Sequence, residues 1–209
     1  MNRKYLLFYC MVFLFCCFMA GCGSKKVTTP YEKGEIIEFG TSLTDDSKKM
    51  EWIVLECKED EALLISKDII AYRSFHSKTN TSTEWHNSDI CIWLNNDFYT
   101  GAFSEDERAK ILECEIATLN YNSKTADSTK NHVFLLNIQE AKDYVKEKKY
   151  AETVLEDSYN GWLLRDKAET QSHIAYVNKE GEIKEDAGVV MNVIQGIRPA
   201  IWIRLEQID

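Results

Sequence analysis

Two prolines, nine glycines and four histidines are spread over 209 residues. So little proline and glycine excludes a collagen-like or low-complexity chain. The histidines, His76, His86, His132 and His173, are scattered and form no HExxH-type pair, which excludes that class of zinc hydrolase. No Cys-x-x-Cys spacing occurs, so a structural zinc site is excluded as well. No Gly-x-Ser-x-Gly turn presents a serine nucleophile. Lys/Arg-rich blocks are also missing, and 25 bases against 34 acids leave a net charge of −9. A nucleic-acid partner needs a basic patch, so no nucleic acid is expected. Internal repeats and interdomain linkers are absent, and the length suits one ordinary domain.

What is present is a globular composition, 44% hydrophobic, 11% aromatic and 28% charged. Its most apolar part stands at the start. Arg3 and Lys4 precede an uncharged 16-residue run, Tyr5–Ala20, followed by Gly21 and Cys22. A basic start, an apolar stretch and small residues before a cysteine form a bacterial lipoprotein signal. In this reading a diacylglycerol is attached to the Cys22 thiol and residues 1–21 are removed. Met19 stands where leucine is usual in such signals. The alternative is an uncleaved anchor, because the uncharged span from Tyr5 to Ser24 matches the roughly 20 residues that cross a bilayer. The expected organisation is a signal peptide over 1–21, a polar tether over 22–34 and a folded domain over 35–209. Removing residues 1–21 takes away two bases and no acids, leaving 188 residues at −11. The expected location is the extracytoplasmic face of the cell membrane, with the lipid anchor as the membrane contact.

Three thiols then remain besides the lipidated one: Cys57, Cys91 and Cys114. Cys91 and Cys114 are the best pair for a disulfide. The alternative is that each is a plain buried thiol among apolar neighbours.

Strand-type runs occupy Glu35–Phe39, Glu51–Glu56 and Glu61–Ser66, the last two joined by a loop of hairpin length. Ile90, Trp93, Leu94 and Phe98 recur at helical spacing after a cap at Asn87 or Ser88. Ser104 with Glu107, and Asn137 with Glu140, read as capping boxes. Asn120–Asn131 is polar and reads as a loop, whereas His132–Leu136 reads as a strand. Further strands are expected at Trp162–Arg165, His173–Val177 and Ile197–Ile203, with a turn at Asn178–Gly181. Pro199 places the last strand at an edge or a bulge. Helices in the middle and strands at both ends define an α+β class.

Several blocks resemble an uncharacterised domain family of Gram-positive cell surfaces. They are Trp52–Leu55, Ala62–Ser66, Thr83–Ile90 running into Trp93-Leu94-Asn95, Phe98-Tyr99, Ala102–Ser104, Val133–Leu136, Trp162–Arg165 and Gly196–Ala200. That family is similar to the C-type-lectin-like fold shared with sulfatase-modifying enzymes. The resemblance implies a single compact α+β domain with a mixed or antiparallel sheet, two to three helices, and both chain ends in one sheet. It implies no demonstrated activity. The chain departs from the family pattern at Asp166-Lys167-Ala168, where Ser-Pro-Gly is usual. It also has no cysteine after Cys114, so the resemblance excludes formylglycine-generating oxidase chemistry.

Of the five tryptophans, Trp52, Trp93, Trp162 and Trp202 sit in apolar runs and read as core. Trp85 stands in a polar stretch, flanked by Glu84 and His86, and these three are the candidate ligand-binding residues. Calcium-dependent sugar binding needs clustered hard oxygens, and the nearest cluster, Asn95-Asn96-Asp97, reads as a helix end; no metal or other cofactor is expected. Arg165 and Arg198 interrupt apolar strands and are expected to be buried, paired and structural. The expected function is binding or scaffolding at the cell surface, with a protein or cell-wall glycan partner. The alternative is a cell-wall-directed enzyme such as a hydrolase using Glu84 or His86.

Overall fold

The computed structural model describes residues 30–205, apart from 79–82, 120–125, 146, 152, 154–158, 160, 169 and 171. Cys22 and the signal segment lie outside the described residues. The strands are β1 (Ile36–Thr41), β2 (Lys49–Lys58), β3 (Glu61–Ser66), β4 (Ala71–Ser74), β5 (Cys114–Leu119), β6 (Ala126–Asn131), β7 (Gly161–Lys167), β8 (His173–Asn178), β9 (Ile183–Val190), β10 (Ile194–Ile197) and β11 (Ala200–Arg204). The helices are short: α1 (Asp89–Trp93), α2 (Tyr99–Ala102), α3 (Glu105–Lys110), α4 (Ile138–Tyr144) and α5 (Lys148–Ala151). The protein is therefore α+β and rich in sheet.

Two sheets carry the core. The first has the order β1-β2-β3-β11 and is antiparallel throughout. The last strand thus closes onto the hairpin formed near the start. The second has the order β4-β10-β7-β8-β9, with a single parallel pair between β10 and β7. Central β7 is buried along Gly161–Asp166, so its sequence does not alternate: Gly161–Leu164 is apolar throughout, and buried Arg165 and Asp166 follow. In the β2–β3 pair the register shifts between Val54 and Glu56, and the extra residue, Leu55, is buried. Gly40, at the register shift of β1, has φ +75°, and a Cβ there would lie 2.7 Å from the Phe103 ring. Only glycine fits that position without strain.

The run Ile197–Ile203 is not one strand. Arg198 and Pro199 separate β10, in the second sheet, from β11, at the edge of the first. Proline has no N–H to give to a ladder, so the chain changes sheet there. His132–Leu136 is not a strand either. It is an extended buried segment that meets the first sheet at Phe134 and Ala200, while Leu136 O accepts from Arg165 N of the second. Its apolar side chains fill the space between the two sheets, which is why it reads like a strand. The expected loop over Asn120–Asn131 ends as β6, paired with β5 along its full length in a two-stranded ribbon.

The helical segment after Ser88 changes type along its length. Ser88 Oγ accepts from Cys91 N at 3.1 Å and caps α1. A π turn over Leu94–Phe98 follows before α2 begins. Asn95-Asn96-Asp97 therefore lies inside the helical segment, not at its end. Both capping boxes are formed, by Ser104 with Glu107 and by Asn137 with Glu140. Glu107 also accepts from Gly40 N at 3.0 Å, tying α3 to β1.

Candidate functional site

Glu84, Trp85 and His86 share one short helical turn but do not converge. Trp85 is 2% exposed and its Nε1 donates to Asn131 Oδ1 at 2.9 Å. The ring packs near Phe75, so it belongs to the core and offers no stacking face. Glu84 forms an ion pair with Lys167 of β7. His86 is exposed, with Nε2 2.7 Å from Asn87 Nδ2. Each of the three residues thus has a separate partner.

Asp166 and Lys167 each have a local partner. Lys167 meets Glu84, and Asp166 Oδ2 accepts from Ile138 N at 2.9 Å, at the first turn of α4. These two contacts tie the end of β7 to α4 and to the turn at Glu84.

Arg165 is 1% exposed and forked onto Glu140 at 2.5 and 2.8 Å. Its Nε and Nη2 donate to Ala117 O, and its Nη1 to Leu135 O. One guanidinium therefore joins β7, β5, the buried Val133–Leu136 segment and α4. Arg198 is fully buried, over the Trp162 ring at 5.0 Å. Nε donates to Ser66 O and Nη1 to Tyr150 O. Burial lowers its pKa to about 10, and the charge of Asp68 opposes that shift.

The three described cysteines are free thiols, so Cys91 and Cys114 do not pair. Burial raises both thiols to about 11. Cys91 Sγ lies 3.5 Å from Asn131 Nδ2, and Asn131 Oδ1 also accepts from Thr129. Asn95 completes the network by bonding Cys91 O, Val133 O and the amides of His132 and Val133. Protonated at neutral pH and enclosed, Cys91 is an anchoring group rather than a nucleophile. Among the described residues, no group of three or more His, Cys, Asp or Glu is arranged to hold a metal.

A concave feature lies elsewhere. A cleft of about 330 Å³ opens between the β1–β2 connection and the β3–β4 connection. Met50 and Phe98 form its floor, and Ser42, Thr44, Asp45, Glu51 and Asp68 line it. Ser42 Oγ and Thr44 Oγ1 are 3.0 Å apart. Asp45 accepts from Ser47 N and Oγ, which lowers its pKa. Glu51 accepts from Lys67 at 2.7 Å. None of these residues stands out by motif. The available signal is length: the run 42–48, polar apart from Leu43, is longer than a tight hairpin needs.

The fold and cleft define an α+β domain with two core sheets and a polar-rimmed cleft. The family model described as a domain of unknown function, DUF6273, matches residues 59–205, and the chain belongs to that family. The match includes the blocks from Ala62 to Ala200 and leaves out Trp52–Leu55. No curated protein and no solved structure matches the chain.

Proposed function

We propose that the chain is a bacterial lipoprotein whose extracytoplasmic, C-type-lectin-like domain binds a glycan or protein partner at the cell surface. The observation that carries this reading is the order Arg3-Lys4, an uncharged 16-residue run, and Ala20-Gly21-Cys22. The expected tether over residues 22–34 joins Cys22 to the folded domain. Two acyl chains hold such a domain stably, each buried methylene contributing about 0.8 kcal/mol. No helix among the described residues is long and apolar enough to cross a membrane.

The lectin-like part of the reading is supported by the first sheet, in which the last strand pairs with the early hairpin. Binding is supported by the cleft, whose size falls in the range of small-molecule sites. The test is retention of the lipidated mature protein on purified cell-wall glycan and on immobilised surface proteins. Saturable retention by either is expected. Passage through both would overturn the binding role.

A further inference from the structure

We infer that the cleft between the β1–β2 and β3–β4 connections is a subsite for a neutral, hydroxyl-rich ligand, a sugar unit of a glycan. This rests on the glycan-binding reading above and names its site. Two features of the cleft carry it.

The first is amphipathy. The floor is apolar, made by buried Met50 and Phe98, whereas the walls mix short oxygen-bearing side chains with Leu43, Ile69, Ile70 and two lysines. A sugar ring has the same division, with C–H faces for the floor and hydroxyls for the rim. The rim oxygens are also held in place before a ligand arrives. The Ser42–Thr44 and Asp45–Ser47 bonds fix one wall. Buried Arg198 supports the other, donating to Ser66 O behind the rim. An oxygen with one bond already made keeps a lone pair for a ligand hydroxyl. Fixed groups also reduce the ordering cost of binding.

The second feature is charge balance. Glu51 pairs with Lys67, and Lys49 of the rim lies 3.7 Å from Glu107. Lys48 acts on Asp45, and the charge of Asp68 acts on both Lys67 and Arg198. Each rim charge therefore has an opposite charge nearby. An ionic ligand of either sign would meet a like charge on this rim, whereas a neutral polyol can bond to the charges as they stand.

One lip of the cleft gives the means to close it. Leu43 rests against Gly101, where an added Cβ would lie 2.8 Å from its Cδ2. Beside it on the same wall, Ser42 is partly exposed, and a large side chain there would project into the cleft.

The experiment measures retention of the lipidated mature protein on purified cell-wall glycan. It compares Ser42→Trp, Asp68→Ala and, as a control for an added surface aromatic, Glu180→Trp. A thermal melt of each protein verifies folding. A weakening of tenfold or more is expected for Ser42→Trp and about threefold for Asp68→Ala, with Glu180→Trp unchanged. Binding should alter less than twofold when salt is raised to about 0.5 M, because the ligand is neutral. Glycan retention that Ser42→Trp leaves unchanged would overturn the cleft assignment while leaving the binding role intact. Retention abolished by salt would overturn the neutral ligand. If the wild-type protein is not retained on glycan at all, the glycan reading and the subsite both fall.

Discussion

Replacing Glu140 with glutamine separates charge pairing from helix capping. Glu140 both receives the fork of Arg165 and accepts from Asn137 N in the capping box of α4. Glutamine can still cap, but it cannot accept both arms of a guanidinium. Arg165, 1% exposed, would then keep its charge facing a neutral amide, with the carbonyls of Ala117 and Leu135 as its other acceptors. Breaking a fully buried pair costs about 3–5 kcal/mol. The Glu140 side chain is 29% exposed, so water screens part of this loss. The expected cost of Glu140→Gln is therefore about 2 kcal/mol, a fall in Tm of about 4–8 °C. Asn137→Ala removes only the cap and should cost about 1 kcal/mol. Glu140→Ala removes both contributions, for about 3 kcal/mol. Urea unfolding followed by tryptophan fluorescence measures all three. A Glu140→Gln loss no larger than that of Asn137→Ala would refute the view that the ion pair holds β5, β7 and α4 together.

Further outcomes follow from other buried groups. Arg198→Leu removes the guanidinium bonds to the carbonyls of Ser66 and Tyr150, and its Tm should fall by about 4–8 °C; an unchanged melt would contradict the structural role. Cys91 and Cys114, with thiols raised to about 11 by burial, should resist a thiol reagent at pH 8 until urea is added. An intact mass two hydrogens short, mapped to Cys91–Cys114, would contradict the free-thiol state. Hydrogen bonds from Ser77 hold Asp89 below its ordinary value. Burial would raise Glu107, but donors from Ser104 and Gly40 outweigh it and lower its pKa. Both groups bind protons more weakly folded than unfolded. Their stabilisation is complete above the ordinary values of 3.8 and 4.5 and is lost as pH falls through the lower, folded ones. The urea midpoint should therefore drop between about pH 5 and pH 3, and less steeply in Glu107→Gln. An equal slope in that variant would count against the role given to Glu107.

Local chemistry made parts of the fold legible in the sequence. Ser104 with Glu107 and Asn137 with Glu140 announce helix starts because a capping box is completed within four residues. The β2–β3 hairpin is legible for a similar reason, two apolar runs separated by a short polar loop. Non-local effects hid the rest. Val133–Leu136 is as apolar as a strand, but it lies between two sheets rather than in one. β6 is polar, Ala-Asp-Ser-Thr-Lys-Asn, and its ladder to β5 is invisible without the partner. Ile197–Ile203 looks continuous, and only the tertiary arrangement assigns its halves to different sheets.

The candidate site divided in the same way. That Arg165 and Arg198 are buried could be inferred from their apolar flanks, whereas Glu140 as partner could not. Trp85 stands among polar residues, yet it is core because Asn131, 46 positions away, receives its N–H. The cleft joins two loops with no shared motif, so it becomes visible only when the β1–β2–β3 sheet brings them together.

The most direct test of the proposed anchoring is metabolic labelling of the full chain with palmitate, beside Cys22→Ala. The reading predicts label on the wild-type protein, a mature species shortened by 21 residues, and an unlabelled, uncleaved variant. Label retained by Cys22→Ala, or a wild-type chain that keeps Met1 and takes up none, would contradict it.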